Sequence, residues 1–152
     1  MSPSGSLAVH PGLLLIIDAS VALKWLVEES DSEAALALQG HDLAAPALLR
    51  IEAANVLRTL VARQEATRGQ AIELLTFLQE APVTIVDPDD ALETRALELA
   101  LDLGHPIYDC VYLALAERMG RTLVTADKRF LRALRNSPHA SRAVALEDVV
   151  LL

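Results

Sequence analysis

The chain has little cysteine, few aromatics and no long apolar run, and each shortage excludes something. Its 152 residues include one cysteine, Cys110. A lone cysteine rules out an internal disulfide and a zinc site built from thiolates. Two Phe, two Tyr and one Trp are too few for a protein that grips single strands chiefly by stacking bases. No apolar stretch approaches the roughly 18 residues a membrane span needs, and the run Leu13 to Ile17 is cut off by Asp18. The leader, residues 1–12, contains no Lys or Arg, so it lacks the basic start of a signal peptide. Rich in Ser, Pro and Gly, it reads as a loose N-terminal arm, and a cytoplasmic location is the simplest expectation. Bases are also scarce: 13 Lys and Arg stand against 21 Asp and Glu, for a net charge of -8. Taken globally, that balance argues against a polyanionic partner.

Apolar material is plentiful. A hydrophobic share of 53% supports a buried core and excludes wholesale disorder, and the length fits a single domain over residues 13–152. Continuous apolar runs at Leu13–Ile17, Val83–Val86 and Thr122–Thr125 read as strands covered on both faces. Ala143–Leu146 is a weaker fourth, and Leu43–Ala45 is either a fifth strand or merely extended. Helical stretches fall at Pro46–Arg63, Gly69–Gln79, Asp89–Leu103 and Tyr108–Met119, with Gly104 and Gly120 as stops. This alternation predicts an α/β three-layer sandwich: a central, mostly parallel sheet flanked by helices. Ligands of such folds sit outside the carboxyl ends of the strands.

Four acids stand at or near those positions. Asp18 follows the first strand, and taken alone it serves equally well as an N-cap for the helix through Val21–Val27, a task Ser20 could share. Glu52 lies within Pro46–Arg63. A step of about 100° per residue puts it on one side with Leu48, Asn55, Val56 and Thr59. Ala54, Leu57 and Val61 form a second apolar side, suited to a partner subunit if the first packs on the sheet. Asp109 falls in the first turn after Pro106, where the helix dipole favours an acid and a largely buried helix follows. Asp127 follows the strand at Leu123–Thr125 and would be an ordinary cap, with the Thr125 hydroxyl at the same strand end. Each acid alone says little; the set says more. Two carboxylates 4 Å apart repel by about 4 kcal/mol at an effective dielectric of 20. Asp18, Asp109 and Asp127 can converge at one sheet edge, and Glu52 either joins them or is an exposed helix-former. A cluster of four calls for a cation, and an all-oxygen donor set selects Mg2+ or Mn2+. Such an ion activates water and clamps phosphate oxygens, which points to phosphodiester hydrolysis.

The bases are unevenly spread. Residues 1–100 hold 15 acids and 6 bases, whereas residues 101–152 hold 6 acids and 7 bases. Lys128, Arg129, Arg132 and Arg135 lie just beyond Asp127. They read either as a solvated helix face or as a strip that contacts RNA phosphates. His10, His41, His105 and His139 have no metal-ligand spacing, so surface or loop roles are expected. Cys110 reads as a small buried hydrophobe, and Trp25 and Tyr112 as core or dimer contacts.

In this order, Ile17–Trp25, Ala45–Leu57, Tyr108–Ala116 and Leu123–Phe130 resemble the motifs of PIN-domain ribonucleases, specifically the VapC-type toxins of bacterial toxin–antitoxin pairs. The resemblance covers the chain from about Leu13 to its end; the leader departs from the pattern. It implies a metal site of Asp18, Glu52, Asp109 and Asp127 holding Mg2+ or Mn2+ and cutting RNA. It also implies accessory roles for Ser20, Asn55 and Thr125, a homodimer, and a VapB-type antitoxin whose C-terminal segment covers the groove. In this reading Asp18 and Asp109 hold the ion, while Glu52 and Asp127 complete the charge and orient water. Two rivals share the fold class. A receiver-like phosphoacceptor would want paired acids after the first strand and a lysine after the last, and Asp18 stands alone. A catalytically inert PIN module that only binds a partner would not need all four acids.

Overall fold

A computed structural model describes residues 12–152. The arm expected over residues 1–12 lies outside the described residues save for Gly12. Five strands form one sheet: β1 (Leu14–Ile17), β2 (Asp42–Pro46), β3 (Val83–Val86), β4 (Thr122–Thr125) and β5 (Ala143–Ala145). They lie in the order β3-β2-β1-β4-β5, and every pairing is parallel. Seven α-helices connect them: α1 (Ala19–Leu26), α2 (Ser32–Ala37), α3 (Leu48–Ala62), α4 (Arg68–Gln79), α5 (Asp90–Leu103), α6 (Ile107–Met119) and α7 (Lys128–Leu134).

The order of the strands sets the position of the site. From β1 the chain steps outward to β2 and β3, then returns across the sheet to β4 and leaves in the other direction to β5. Right-handed crossovers therefore put α1–α4 on one face and α5–α7 on the other. Packing agrees, because α1 lies against α2, α3 and α4, whereas α6 lies against α5, β1, β2 and β4. The direction reverses between β1 and β4, and the crevice at their carboxyl ends is where open α/β sheets bind ligands. Ile17 is in register with Val124, so Asp18 and Thr125 follow at neighbouring places on that edge.

The apolar runs fold as their patterns demand. Leu15, Ile16 and Ile17 are buried from both faces, as are Leu123 and Val124. On α6, Cys110 and Tyr112 through Ala116 are all buried. At roughly 1.5–3 kcal/mol for each large apolar side chain, this helix is a main anchor of the sheet. It ends at Gly120 and α5 at Gly104, with φ of 64° and 60°. Both glycines take the left-handed cap conformation that side chains resist.

Some boundaries differ from expectation. Pro46 closes β2 instead of opening α3, because its place in the sheet is in register with Val86 and the next N–H, that of Ala47, bonds the Val86 carbonyl at 3.0 Å. Helix α4 starts before Gly69 because Thr67 and Gln70 form a reciprocal capping box, with bonds of 3.1 and 2.8 Å. The second apolar side of α3 meets α4 in part. Leu57 is buried, and with Ala54 and Val61 it faces α4 across a groove also lined by Ala71, Ile72 and Leu75. Against the core α3 presents Leu49 and Ala53. Among the described residues no helix is long and apolar enough to cross a membrane.

Candidate functional site

At the carboxyl edge of β1 and β4 a cleft of about 470 Å3 opens between α1, α3 and α6. Asp18, Glu52, Asp109 and Asp127 all line it, with Ser20 and Asn55. Leu23, Ile51, Val56 and Tyr108 supply its apolar wall. Among the described residues no Lys or Arg lines it. The crevice thus concentrates negative charge with no basic side chain on its wall.

Each acid is held by its own local structure. Asp18 is 4% exposed and caps α1, accepting from the Val21 amide at 3.3 Å. Its carboxylate also accepts from Ser20 Oγ at 2.5 Å. The Ser20 oxygen in turn accepts from the Ala126 amide at 2.9 Å and lies 3.5 Å from Thr125 Oγ1. Thr125, fully buried, accepts from the Asp127 amide at 3.0 Å. The capping and functional readings of Asp18 are therefore compatible, and the two hydroxyls tie the loops after β1 and β4 together. Burial raises the Asp18 carboxyl from 3.8 to about 6, against the pull of the Ser20, Thr125 and Val21 hydrogen bonds, and the Asp109 charge adds to the rise.

Glu52 is half-buried on α3. Its Oε1 accepts a short hydrogen bond from the Tyr112 hydroxyl on α6. Burial lifts its carboxyl above the ordinary range, with the Tyr112 bond opposing and Asp109 reinforcing. Tyr112 itself is 1% exposed, and burial followed by the Glu52 charge keeps its phenol protonated. Asp127 caps α7, its Oδ1 accepting from the Arg129 and Phe130 amides at 2.9 and 3.2 Å. Asp109 Oδ2 lies 2.6 Å from His105 Nε2. Asn55 is exposed one turn beyond Glu52.

Two residues assigned elsewhere from sequence belong here. Tyr112 is a core residue as expected, yet its hydroxyl reaches Glu52. His105 lies in the loop between α5 and α6 as expected, but its side chain is not on the surface: it is 7% exposed and bonded to Asp109. Tyr108, 58% exposed, stands on the cleft wall and was not singled out by sequence. Cys110 is the buried hydrophobe expected, and burial pushes its thiol up to about 11, so it offers no thiolate to the site.

The four acids share a cleft, but among the described residues no three His, Cys, Asp or Glu side chains stand close enough to hold a metal ion. This corrects the expectation of a ready-made cluster. Mutual repulsion and local donors account for it: Asp109 turns to His105, Glu52 to Tyr112, and Asp127 to the amides of α7. The donor chemistry nonetheless fits a hard divalent cation, since every charged group on the wall is a carboxylate. Beside the cleft, Lys128, Arg129, Arg132 and Arg135 are all exposed. Among the described residues none of the four is ion-paired, whereas Arg118 binds Asp89 at 2.8 Å and Arg121 binds Asp42 at 2.9 Å.

Comparison with known proteins adds to this geometry. The PIN domain profile matches residues 15–136. Ribonuclease VapC9 of Mycobacterium tuberculosis is 33% identical over 116 residues, covering 76% of this chain and 87% of that protein. A crystal structure of PAE2754 from Pyrobaculum aerophilum superposes with a TM-score of 0.70 at 20% identity, covering 91% of this chain and 88% of the other. VapBC2 from Rickettsia felis, solved with a DNA fragment from its promoter, contains a chain that superposes with a TM-score of 0.62 at 15% identity. That match covers 88% of this chain and 98% of the other.

Proposed function

The chain belongs to the PIN-domain family, among its VapC ribonucleases, and from that membership we propose that it is a metal-dependent endoribonuclease, the toxin of a toxin–antitoxin pair. One observation carries the proposal: four acids from separate elements line a single cleft that has no basic side chain on its wall. Asp18, Asp109, Glu52 and Asp127 would hold Mg2+ or Mn2+. When bound, such an ion supplies a Lewis acid for phosphate oxygens and makes water a stronger nucleophile near neutral pH.

The remaining work falls to the chain's own groups. Ser20 and the Val21 amide fix the Asp18 carboxylate, and His105 fixes Asp109. Glu52, with Oε1 engaged by Tyr112, keeps Oε2 to orient the attacking water and take its proton. That water adds to phosphorus and one P–O bond breaks; the departing oxygen takes a proton from solvent, so the products are a phosphate monoester and a free hydroxyl. Thr125 and Asn55 serve as accessory polar groups. Lys128, Arg129, Arg132 and Arg135 contact RNA phosphates along α7, outside the acidic wall. This division of charge lets an acidic protein bind RNA.

A VapB-type antitoxin partner follows from the same family membership, and a cytoplasmic setting suits an RNA target. A homodimer is supported by Leu97 and Leu101, exposed apolar residues one turn apart on α5. The receiver-like reading wants a lysine facing the acids, and none lines the cleft among the described residues. The inert-module reading has no use for all four carboxylates at one edge. The test is cleavage of RNA by the purified full chain in Mg2+ or Mn2+. Activity is expected for wild type, stops with EDTA, and is lost in Asp18→Asn and Asp109→Asn. Undiminished cleavage by both variants would sink the assignment.

A further inference from the structure

We propose that His105 is a positioning residue: it sets the Asp109 carboxylate for cation binding, held in place by its own packing on Phe130 of α7. The inference depends on the metal reading of the cleft given above.

The histidine is fixed from both sides along the chain. Gly104 turns the backbone at φ 60°, Pro106 follows as the N-cap of α6, and the His105 amide bonds the Ala100 carbonyl at 3.1 Å. Its side chain is 7% exposed, so the ring has few alternative places to go. Nε2 lies 2.6 Å from Asp109 Oδ2. A carboxylate only accepts, so Nε2 is the donor. The ring also packs on that of Phe130, at a centroid distance of 4.9 Å and a tilt of 41°.

Phe130 is fully buried on α7, and its amide donates to Asp127 Oδ1 at 3.2 Å. A continuous path therefore runs from Asp109 through His105 and Phe130 to Asp127. These are two of the four cleft acids, carried by different helices on one face of the sheet. Groups that orient metal ligands from behind typically change metal affinity by 10–100-fold when removed. A buried histidine that merely fills space would leave affinity unchanged once its volume is replaced.

The test is calorimetric titration of the full chain with Mn2+, alongside thermal melting in EDTA. His105→Phe keeps a packed ring and removes the donor, while His105→Gln returns an N–H near the position of Nε2 without the ring. His105→Leu is a second donor-free variant should the Phe variant fail to fold. The donor-free variant is expected to bind Mn2+ roughly 10–100-fold more weakly than wild type, and Gln to recover most of that loss. Wild-type affinity in the folded donor-free variant overturns the proposal, as does a Gln variant no better than it. Asp18→Asn separates the two levels: if wild type takes up no Mn2+, or Asp18→Asn binds it equally well, the metal reading itself fails and this inference falls with it.

Discussion

Removing the charge of Asp18 should make the metal-free protein more stable while abolishing its activity. The carboxyl is 4% exposed and burial carries it from 3.8 to about 6. Because the folded value lies above the unfolded one, the folded protein binds more protons between these limits, and stability falls as pH rises through the window. Below pH 3.8 the penalty is absent; above pH 6 it is complete. Its full size is about 3 kcal/mol, from about 1.4 kcal/mol for each factor of ten, and it shrinks to about a third by pH 4.5. Asn at this position keeps acceptors for Ser20 and Val21 but makes weaker hydrogen bonds than a carboxylate. The expected gain at pH 7.5 is then about 1–3 kcal/mol, or roughly 3–10 °C in Tm for a chain of this size. Melting curves of wild type and Asp18→Asn in EDTA at pH 7.5 and pH 4.5 test this, with a larger difference expected at the higher pH. Adding Mn2+ should stabilise wild type and not the variant. A variant that melts below wild type at both pH values would refute the claim that burial penalises this charge.

Other perturbations probe separate parts of the account. Tyr112→Phe removes the donor that opposes the rise of the Glu52 carboxyl; the acidic limb of the pH–rate profile should move to higher pH, with a stability loss of about 1–2 kcal/mol. The double change Lys128→Ala and Arg132→Ala should weaken RNA binding and flatten its salt dependence by roughly 0.7 in log–log slope for each charge, while calorimetry finds Mn2+ affinity unchanged. Gly120→Ala puts a Cβ in open space but at φ 64°, so denaturant unfolding should show a loss of about 1–2 kcal/mol from the backbone alone.

Strands β1 and β4 are legible because parallel strands covered on both faces show unbroken apolar runs, here Leu13–Ile17 and Thr122–Thr125. Strand β3 shows the same run at Val83–Val86 but lies at the sheet edge with Thr84 exposed, so the expected cover on both faces does not hold there. The acids at the carboxyl edge followed from the fold class, which says where ligands sit before any side chain is placed. Pro46 misled because its fixed φ suits a strand end as well as a first helical turn. Helix α2 is six residues long and carries too short a pattern to read. The contacts behind the acids were harder still. His105 and Asp109 are one turn apart, which puts them on one side without saying that the ring is buried. Tyr112 and Glu52 lie 60 residues apart on different helices, and no spacing along the chain encodes that meeting. The same limit applies to the cluster itself: sequence places three acids at one edge and leaves Glu52 open, and it does not show the local donors that draw the acids toward partners of their own. Global charge was misleading for a related reason, since binding depends on where the bases left unpaired are held.

Anomalous diffraction from crystals of the full chain soaked in Mn2+ tests the central claim most directly. The account predicts a manganese peak in the cleft at the carboxyl edge of β1 and β4, ligated by Asp18 and Asp109 and lost in Asp18→Asn. A cleft without manganese at saturating Mn2+, or a peak held by other residues, would contradict it.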